Sequence, residues 1–548
     1  MKLDDKKIKE ILLKGSYVLK DDIKKAEKYA KKTKGTITDY LFIKQLITRD
    51  LLGQAIAEDF KVSYADLNSA FLSKEQILKI PKEIAKKFKV VLFKFNKQEV
   101  IITTDNPNRE NLKEEIIKIF PNRTIKISYS LPGDIQEIFI HYRKVLEARF
   151  VKIIKEQKQI APEIIGEILD DAITFRASDV HFEPAEKEVR VRFRIDGVLN
   201  EVGNIPKNYY ENVVNRIKVQ ANLRIDKHFV AQDGAIRYGR KGSKIDLRVS
   251  IVPTINGEKI VIRILSEYIK DFTLNDLGFS SNDQESVEKA SKKPFGMILV
   301  TGPTGSGKTT SLYSVLKLLN STQVNITTIE DPVEYKIVGI NQIQVNKETN
   351  LTFAQGLRSI VRQDPDIILV GEIRDRETAE IAVNAALTGH LLFSTFHSND
   401  AATTIPRLLD MDIEPFLLAS TLEMIIAQRL VRQICDHCRV SVVFDKVKIS
   451  RILPNYNKYL SESVNLYKGK GCGMCDHTGY KGRMAIFEII RISRDLQELI
   501  LKNPSARDVW DLAKKQGTKS LFEDGLEKVK NGMTTLEELI RVASPPLE

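Results

Sequence analysis

The chain has no long hydrophobic run. No stretch of 18 apolar residues free of charge occurs in its 548 residues, so no helix is expected to span a bilayer. The densest apolar stretch, 415–430, is broken by Glu423 and Arg429. The opening Met1-Lys2-Leu3-Asp4-Asp5-Lys6-Lys7 has none of the apolar core of a secretory leader, and the expectation is a cytoplasmic protein. Repeats and low-complexity blocks are missing, which excludes solenoids and arrays. Cysteine is scarce, at four residues, and disulfides between them are not expected in a cytoplasmic chain. Acidic residues are outnumbered, and the net charge is +12. That balance can mean nucleic acid or an anionic membrane surface. No compact basic tract with interleaved aromatics accompanies it, so the lysines read as a solvated surface and no stable nucleic-acid partner is expected. With 42% hydrophobic and 29% charged residues, the chain is of ordinary globular composition. Its length suggests three or four domains at about 150 residues each.

What is present begins with Gly302-Pro303-Thr304-Gly305-Ser306-Gly307-Lys308-Thr309. It fits G-x-x-x-x-G-K-[ST] without departure. The apolar run 297–300 leads into it and a helix-compatible run, 310–316, follows. The glycines let backbone N–H groups turn toward phosphates, and the helix N-terminus adds more. Lys308 is placed for the β- and γ-phosphates and the Thr309 hydroxyl for Mg²⁺, with Thr310 next in the turn. ATP and Mg²⁺ are the expected ligands.

The four cysteines form two C-x-x-C knuckles, Cys435/Cys438 and Cys472/Cys475, separated by 33 residues. Four thiolates suit a closed tetrahedral Zn²⁺ site with no open catalytic position. The long gap calls for a small subdomain between the knuckles.

Along the chain, residues 1–142 alternate helical stretches (21–32, 74–88) with strand-like pieces (90–93, 100–103) and a turn at 105–108: a small α/β domain. Residues 143–159 read as a charged helical linker. In a second domain, 160–270, the run Val189 to Gly197 alternates with period two and ends in an Asp-Gly turn. Its arginines are either solvated or turned toward a phosphate or a neighbouring subunit. A strand pair, 245–251 and 258–265, follows. Residues 271–432 alternate strand and helix around the phosphate loop, which predicts a mainly parallel sheet with flanking helices. A tetracysteine subdomain, 433–484, and a helical region, 485–548, complete the chain.

Further acids and histidines flank apolar strands. Asp366 stands before Ile367–Val370 and Glu372 just after it; either can serve Mg²⁺, and Glu372 can deprotonate the attacking water. Glu330, Asp331 and Glu334 end another strand, as part of the Mg²⁺–water network or as a solvated strand end. His390 and His397 bracket a third, either as γ-phosphate sensors or in local hydrogen bonds.

In this order the segments closely resemble the secretion superfamily of motor ATPases of type II secretion and type IV pilus assembly. The matching stretches are GPTGSGKTT, TIEDPVEY (328–335), RQDPDIILVGEIRD (362–375) and TGHLLFSTFHSNDA (388–401). Before them stand ASDVHFEP (177–184), VRFRIDGVL (191–199), RVSIVP (248–253) and GEKIVIRIL (257–265), and after them Cys472 to Arg483. The resemblance covers residues 160–545. It implies a RecA-like P-loop ATPase domain preceded by an α+β, PAS-like domain. It makes Glu372 the catalytic base and His397 the His-box residue, and places Glu330 and Glu334 in the acidic box. Arg248 and Arg263 correspond to arginines that close over the γ-phosphate; Arg358, Arg362 and Arg374 are further candidates. It also implies a homohexameric ring that docks through residues 1–142 on a platform protein at the cytoplasmic face of the inner membrane. The four-cysteine module and long N-terminal domain are those of an assembly or export motor, with pilus assembly preferred and the type II secretion motor as the alternative. DNA translocation and a non-hydrolysing scaffold are rivals from other classes. Some relatives bind cyclic di-GMP through an Arg-Leu-Gly opening; the corresponding stretch, Lys34 to Leu41, has no such arginine.

Overall fold

The computed structural model describes all residues except 1–4, 34–35, 45, 68–69, 71, 97, 143–152, 154–159, 241–242, 266–272, 347, 454–456, 458, 462, 473–474, 476–477 and 546–548. The expected linker therefore lies outside the described residues save for Ile153, as do Lys34 and Gly35. The chain divides into two compact units: residues 53–270, and residues 2–52 together with 271–548.

The first unit contains two sheets. In the smaller, β1 (Val90–Phe95) pairs antiparallel with β2 (Glu99–Thr104), which runs parallel to β3 (Thr124–Tyr129). The helix expected over 74–88 is two helices, Lys74–Ile77 and Lys82–Phe88. Pro81 separates them: it has no N–H to donate, and its ring disfavours helical backbone at Ile80.

The larger sheet is antiparallel throughout. Its strands are β4 (Asp179–Pro184), β5 (Glu188–Ile195), β6 (Val198–Pro206), β7 (Gln232–Arg240), β8 (Ser243–Thr254) and β9 (Gly257–Leu265), in the order β6-β5-β4-β9-β8-β7. Asp196 and Gly197 both have positive φ, 49° and 85°, which matches the turn to the twist of the β5–β6 hairpin. Period two does the rest. Val189, Val191 and Phe193 are fully buried, with Val180, Phe182, Ile260 and Ile262, against the helices Ile160–Thr174 and Lys207–Gln220. Each such side chain stabilises the layer by roughly 1.5–3 kcal/mol. The alternate residues, arginines among them, occupy the opposite face.

The second unit is built on a seven-stranded sheet. Its parallel strands are β10 (Gly296–Thr301), β11 (Ile326–Glu330), β12 (Asn341–Gln344), β13 (Ile367–Val370), β14 (Leu391–Phe396) and β15 (Leu422–Ile434). After β15 comes a hairpin, β16 (Arg439–Asp445) and β17 (Ser463–Gly469), with the helix Lys446–Ile452 between its strands. Then β18 (Tyr480–Arg491) returns antiparallel to β15. The order is β12-β11-β13-β14-β10-β15-β18, so the sheet extends past the boundary expected at residue 432. The outer edge of β18 is closed by side chains. Asp524 accepts from Phe487 N–H at 2.8 Å, Lys528 donates to the Ala485 carbonyl at 3.0 Å, and Thr518 donates to that of Ile489 at 3.2 Å. Over 485–489 these side chains occupy ladder positions that another strand would need. The terminal helices Arg494–Ile500 and Ala506–Lys515 begin at capping serines, Ser493 and Ser505, as S/T/D/N start signals require. Among the described residues no helix is long and apolar enough to cross a membrane.

Candidate nucleotide site

Parallel strands put all their C-terminal ends on one edge of a sheet. That edge carries the phosphate loop after β10, Glu330 at the end of β11, Glu372 two residues past β13 and His397 one residue past β14.

The loop adopts the form its glycines allow. Gly302, Gly305 and Gly307 have φ of 144°, 79° and 88°, backbone that favours glycine. A Cβ on Gly302 would meet the Gln428 carbonyl oxygen at 2.4 Å, whereas one on Gly305 would meet nothing within 4 Å. The first glycine is thus fixed by packing against β15, and the second faces open space. The Lys308 ammonium donates to the loop's own carbonyls, Gly302 at 2.7 Å and Pro303 at 3.1 Å. Burial lowers its pKa, and the charge of Glu372 opposes that shift. A half-buried cation folded onto its own loop, with a buried Ser306 hydroxyl that has no partner among the described residues, fits a site made for an anion.

Glu372 is almost fully buried yet carries two partners. Its Oε1 lies 2.6 Å from Arg374, and its Oε2 lies 3.2 Å from His397 Nε2. Glu330 is turned inward: Thr328 donates to Oε1 at 2.6 Å, Gln342 to the same oxygen at 3.3 Å, and Tyr313 to Oε2. Burial raises its pKa against those hydrogen bonds. Glu334 follows on the same edge, its N–H 3.4 Å from the Tyr313 hydroxyl oxygen.

Asp366 is a correction to the sequence expectation. It precedes β13 and sits at the opposite edge of the sheet, roughly 16 Å along the strand direction from Gly371. There its carboxylate accepts from Asn325 N–H at 2.6 Å, tying two strand starts together. Conversely, Gln428 was missed. Wholly buried on β15, it donates to the Ser306 carbonyl at 2.6 Å and accepts from Ser311 at 2.7 Å, bracing the loop from both sides. A lone glutamine in the apolar run Met424-Ile425-Ile426-Ala427-Gln428 was the available signal.

These are the elements of a nucleotide-hydrolysing edge, and the family described as "Type II/IV secretion system protein" matches residues 154–541. The chain belongs to that family. The type IV pilus assembly ATPase PilB of Myxococcus xanthus is 36% identical over 561 residues, covering 98% of this chain and 98% of that protein. PilB of Thermus thermophilus is 36% identical over 525 residues, 92% of this chain, which spans 59% of that protein's length. The type II secretion system protein E of Pseudomonas aeruginosa is 45% identical over 389 residues, 71% of this chain and 76% of that protein. The solved ATPase DotB of Legionella pneumophila superposes with a TM-score of 0.51 at 20% identity, over 70% of this chain and 96% of that one; that likeness shows the fold alone. The chain is an ATP-hydrolysing enzyme of the secretion family.

In the first unit, register aligns three arginines with one aspartate. Arg194 pairs with Asp179, Asp179 with Arg263, and Arg263 with Arg248. Directly paired residues share a face, so this row lies on the polar side of the sheet. Arg263 Nε donates to Asp179 Oδ1 at 3.1 Å, and Arg194 lies 3.6 Å from the other oxygen. Of the further candidates, Arg358 pairs with Glu377 at 2.8 Å.

The four cysteines converge. Sγ···Sγ separations are 3.9 Å (Cys435–Cys472), 3.8 Å (Cys438–Cys475) and 3.8 Å (Cys472–Cys475), and all four are buried. A tetrahedron with arms of about 2.3 Å has edges of about 3.8 Å, whereas a disulfide would need about 2.05 Å. The N–H groups of Cys472 and Gly479 donate to Cys475 Sγ at 3.2 and 3.3 Å, which favours a thiolate there. The geometry fits one tetrahedral metal ion.

Proposed function

We propose that this chain is a cytoplasmic, homohexameric motor ATPase that couples ATP hydrolysis to type IV pilus assembly at a platform protein of the inner membrane. The observation that carries the catalytic part is Glu372, held by Arg374 and His397 on the strand edge that also bears the phosphate loop. In this reading ATP is held by Gly302 to Thr310, with Lys308 leaving its carbonyls for the phosphates. Mg²⁺, held by the Thr309 hydroxyl with Glu330 and Glu334 in its surroundings, would supply charge neutralisation on the phosphates. Glu372 accepts the proton of the attacking water, and His397 orients that carboxylate. Arg248 and Arg263 add positive charge to the transition state. Residues 1–142 dock on the platform, 160–270 form the PAS-like domain and 271–432 the RecA-like one. The module 433–484 is closed by Zn²⁺ on Cys435, Cys438, Cys472 and Cys475.

Alignment with the Myxococcus pilus-assembly ATPase over 98% of both chains supports the pilus reading. The higher identity to type II secretion protein E, 45% over 71% of this chain, supports the secretion motor as the second reading. Steady-state ATP hydrolysis tests the chemistry. Lys308→Ala should weaken nucleotide binding, and Glu372→Gln should bind ATP but not turn it over. Arg263→Ala should cut the rate by orders of magnitude with little change in affinity. Wild-type turnover in Glu372→Gln would refute the base. Deleting the gene and imaging surface pili separates the two machines: pili lost supports assembly, while pili retained with secretion lost supports the alternative.

A further inference from the structure

Glu488 sits in the middle of β18, between Ile486 and Ile490 on the same face, and both isoleucines are fully buried. A carboxylate in that row is costly to desolvate, and burial drives its pKa up to about 7. Its hydrogen bonds come from backbone donors, and the charge of Asp400 opposes its ionisation. Ala401 N–H donates to Oε1 at 2.8 Å, and the N–H groups of Leu521 and Ala402 favour its charged form more weakly. Ala401 and Ala402 end the loop that starts at His397; Leu521 is the first residue of the helix Leu521–Lys530. The other end of the same loop is also tied. Ser398 N–H donates to Thr301 Oγ1 at 2.9 Å, the Ser398 and Thr404 hydroxyls are 2.7 Å apart, and Arg407 donates to the His397 carbonyl. The loop therefore hangs between the residue that precedes the phosphate loop and Glu488.

We propose that Glu488 is a positioning residue for ATP hydrolysis: its carboxylate fixes the loop that presents His397 to Glu372 and joins that loop to the helix Leu521–Lys530. The proposal rests on the roles of Glu372 and His397 given above. The chemistry requires a carboxylate rather than an amide. The backbone groups that hydrogen-bond it are N–H donors, and an ionised carboxylate only accepts. A glutamine could satisfy Ala401 with its carbonyl, but its NH₂ cannot accept from the N–H of Leu521 or Ala402. The volume is conserved while one set of donors loses its acceptor, so the loop loosens with little disturbance of the core. The phosphate loop is braced separately by Gln428, so binding of ATP does not pass through Glu488. The expected signature is a loss in kcat with KM retained.

The test uses the full chain at pH 8, above the raised pKa of Glu488, where the carboxyl is ionised. Glu488→Gln and Glu488→Asp should lower kcat at least tenfold, with the KM for ATP within about twofold and a cooperative melting transition kept. Hydrogen exchange should speed up together at 398–403 and 521–524, and stay unchanged at 302–310. A folded Glu488→Gln variant with kcat within twofold of wild type overturns the proposal, as does faster exchange confined to 521–530. If both variants lose their transition, exchange on the native chain decides. Amides of Ala401 and Leu521 that share one anchor must open with equal protection, and unequal protection refutes the clamp. Glu372→Gln runs alongside: its inactivity with an active Glu488→Gln rejects only the clamp, whereas an active Glu372→Gln rejects the catalytic reading beneath it.

Discussion

The burial of Glu488 makes the stability of its core depend on pH in an unusual direction. The carboxyl is raised from 4.5 to about 7, by desolvation first and by the nearby charge of Asp400, against its N–H partners. Below pH 4.5 both folded and unfolded chains hold the proton. Between 4.5 and 7 the unfolded chain releases it while the folded chain keeps it, so folding loses stability as pH rises through that window. At about 1.4 kcal/mol per pH unit, a rise from 4.5 to about 7 corresponds to on the order of 3 kcal/mol. The group is 5% exposed, so solvent screening removes little of this. The chain's one tryptophan, Trp510, packs on the same core as Ala401, Ala402 and Ile490, and its fluorescence reports that core. Urea unfolding of wild type and Glu488→Gln should be followed from pH 5 to pH 8. All other titrating groups are shared, so the difference between the two curves isolates Glu488. The wild type should lose about 2–3 kcal/mol relative to the variant across the series. Parallel curves would refute the reasoning, because a carboxyl that ionises at its ordinary pH is not desolvated by this fold.

Two further outcomes follow from other buried groups. Glu538 is buried, which alone would raise its pKa, but hydrogen bonds from Arg541 and Arg432 hold it down at about 2. Its contribution is complete above pH 4.5 and lost as pH falls toward 2. Glu538→Gln should therefore cost on the order of 3 kcal/mol at pH 7, with the gap to wild type narrowing steadily in thermal melts as pH falls from 4.5 toward 2; a constant gap would contradict the ion-pair origin. Elemental analysis should find about one zinc per chain. Cys472→Ser should release it and loosen 433–484 to proteolysis while leaving nucleotide affinity intact; metal-free reduced protein would rule the site out.

How much of this was legible in the sequence depends on what each residue answers to. The phosphate loop was readable because its glycines answer to local backbone geometry, and the β5–β6 hairpin because Asp196-Gly197 and the alternation of 189–195 answer to one turn and one pleat. Glu372 and Asp366 look alike in sequence, one acid at each end of an apolar strand. Direction separates them: in a parallel sheet only the strand end that points the same way as the end of β10 reaches the phosphates, and that argument was available from the strand–helix alternation alone. The cysteines were readable as a metal set because their spacing is local to each knuckle.

The pair β15–β18 was not readable, because its partners are separated by the whole cysteine module and no local pattern announces an antiparallel strand returning to a parallel sheet. Yet this pair is where the phosphate loop and the His397 loop are held. Ala427 lies opposite Glu488, and Gln428 lies opposite Phe487. Successive residues point to opposite faces of a sheet. Gln428 therefore braces the phosphate loop on one face, while Glu488 holds the His397 loop on the other. Each is a polar residue in a row where period-two reasoning expects an apolar one. Local reading fails at these two positions because they satisfy backbone groups far away in sequence, and such a local conflict with the global fold is where a functional constraint is to be sought.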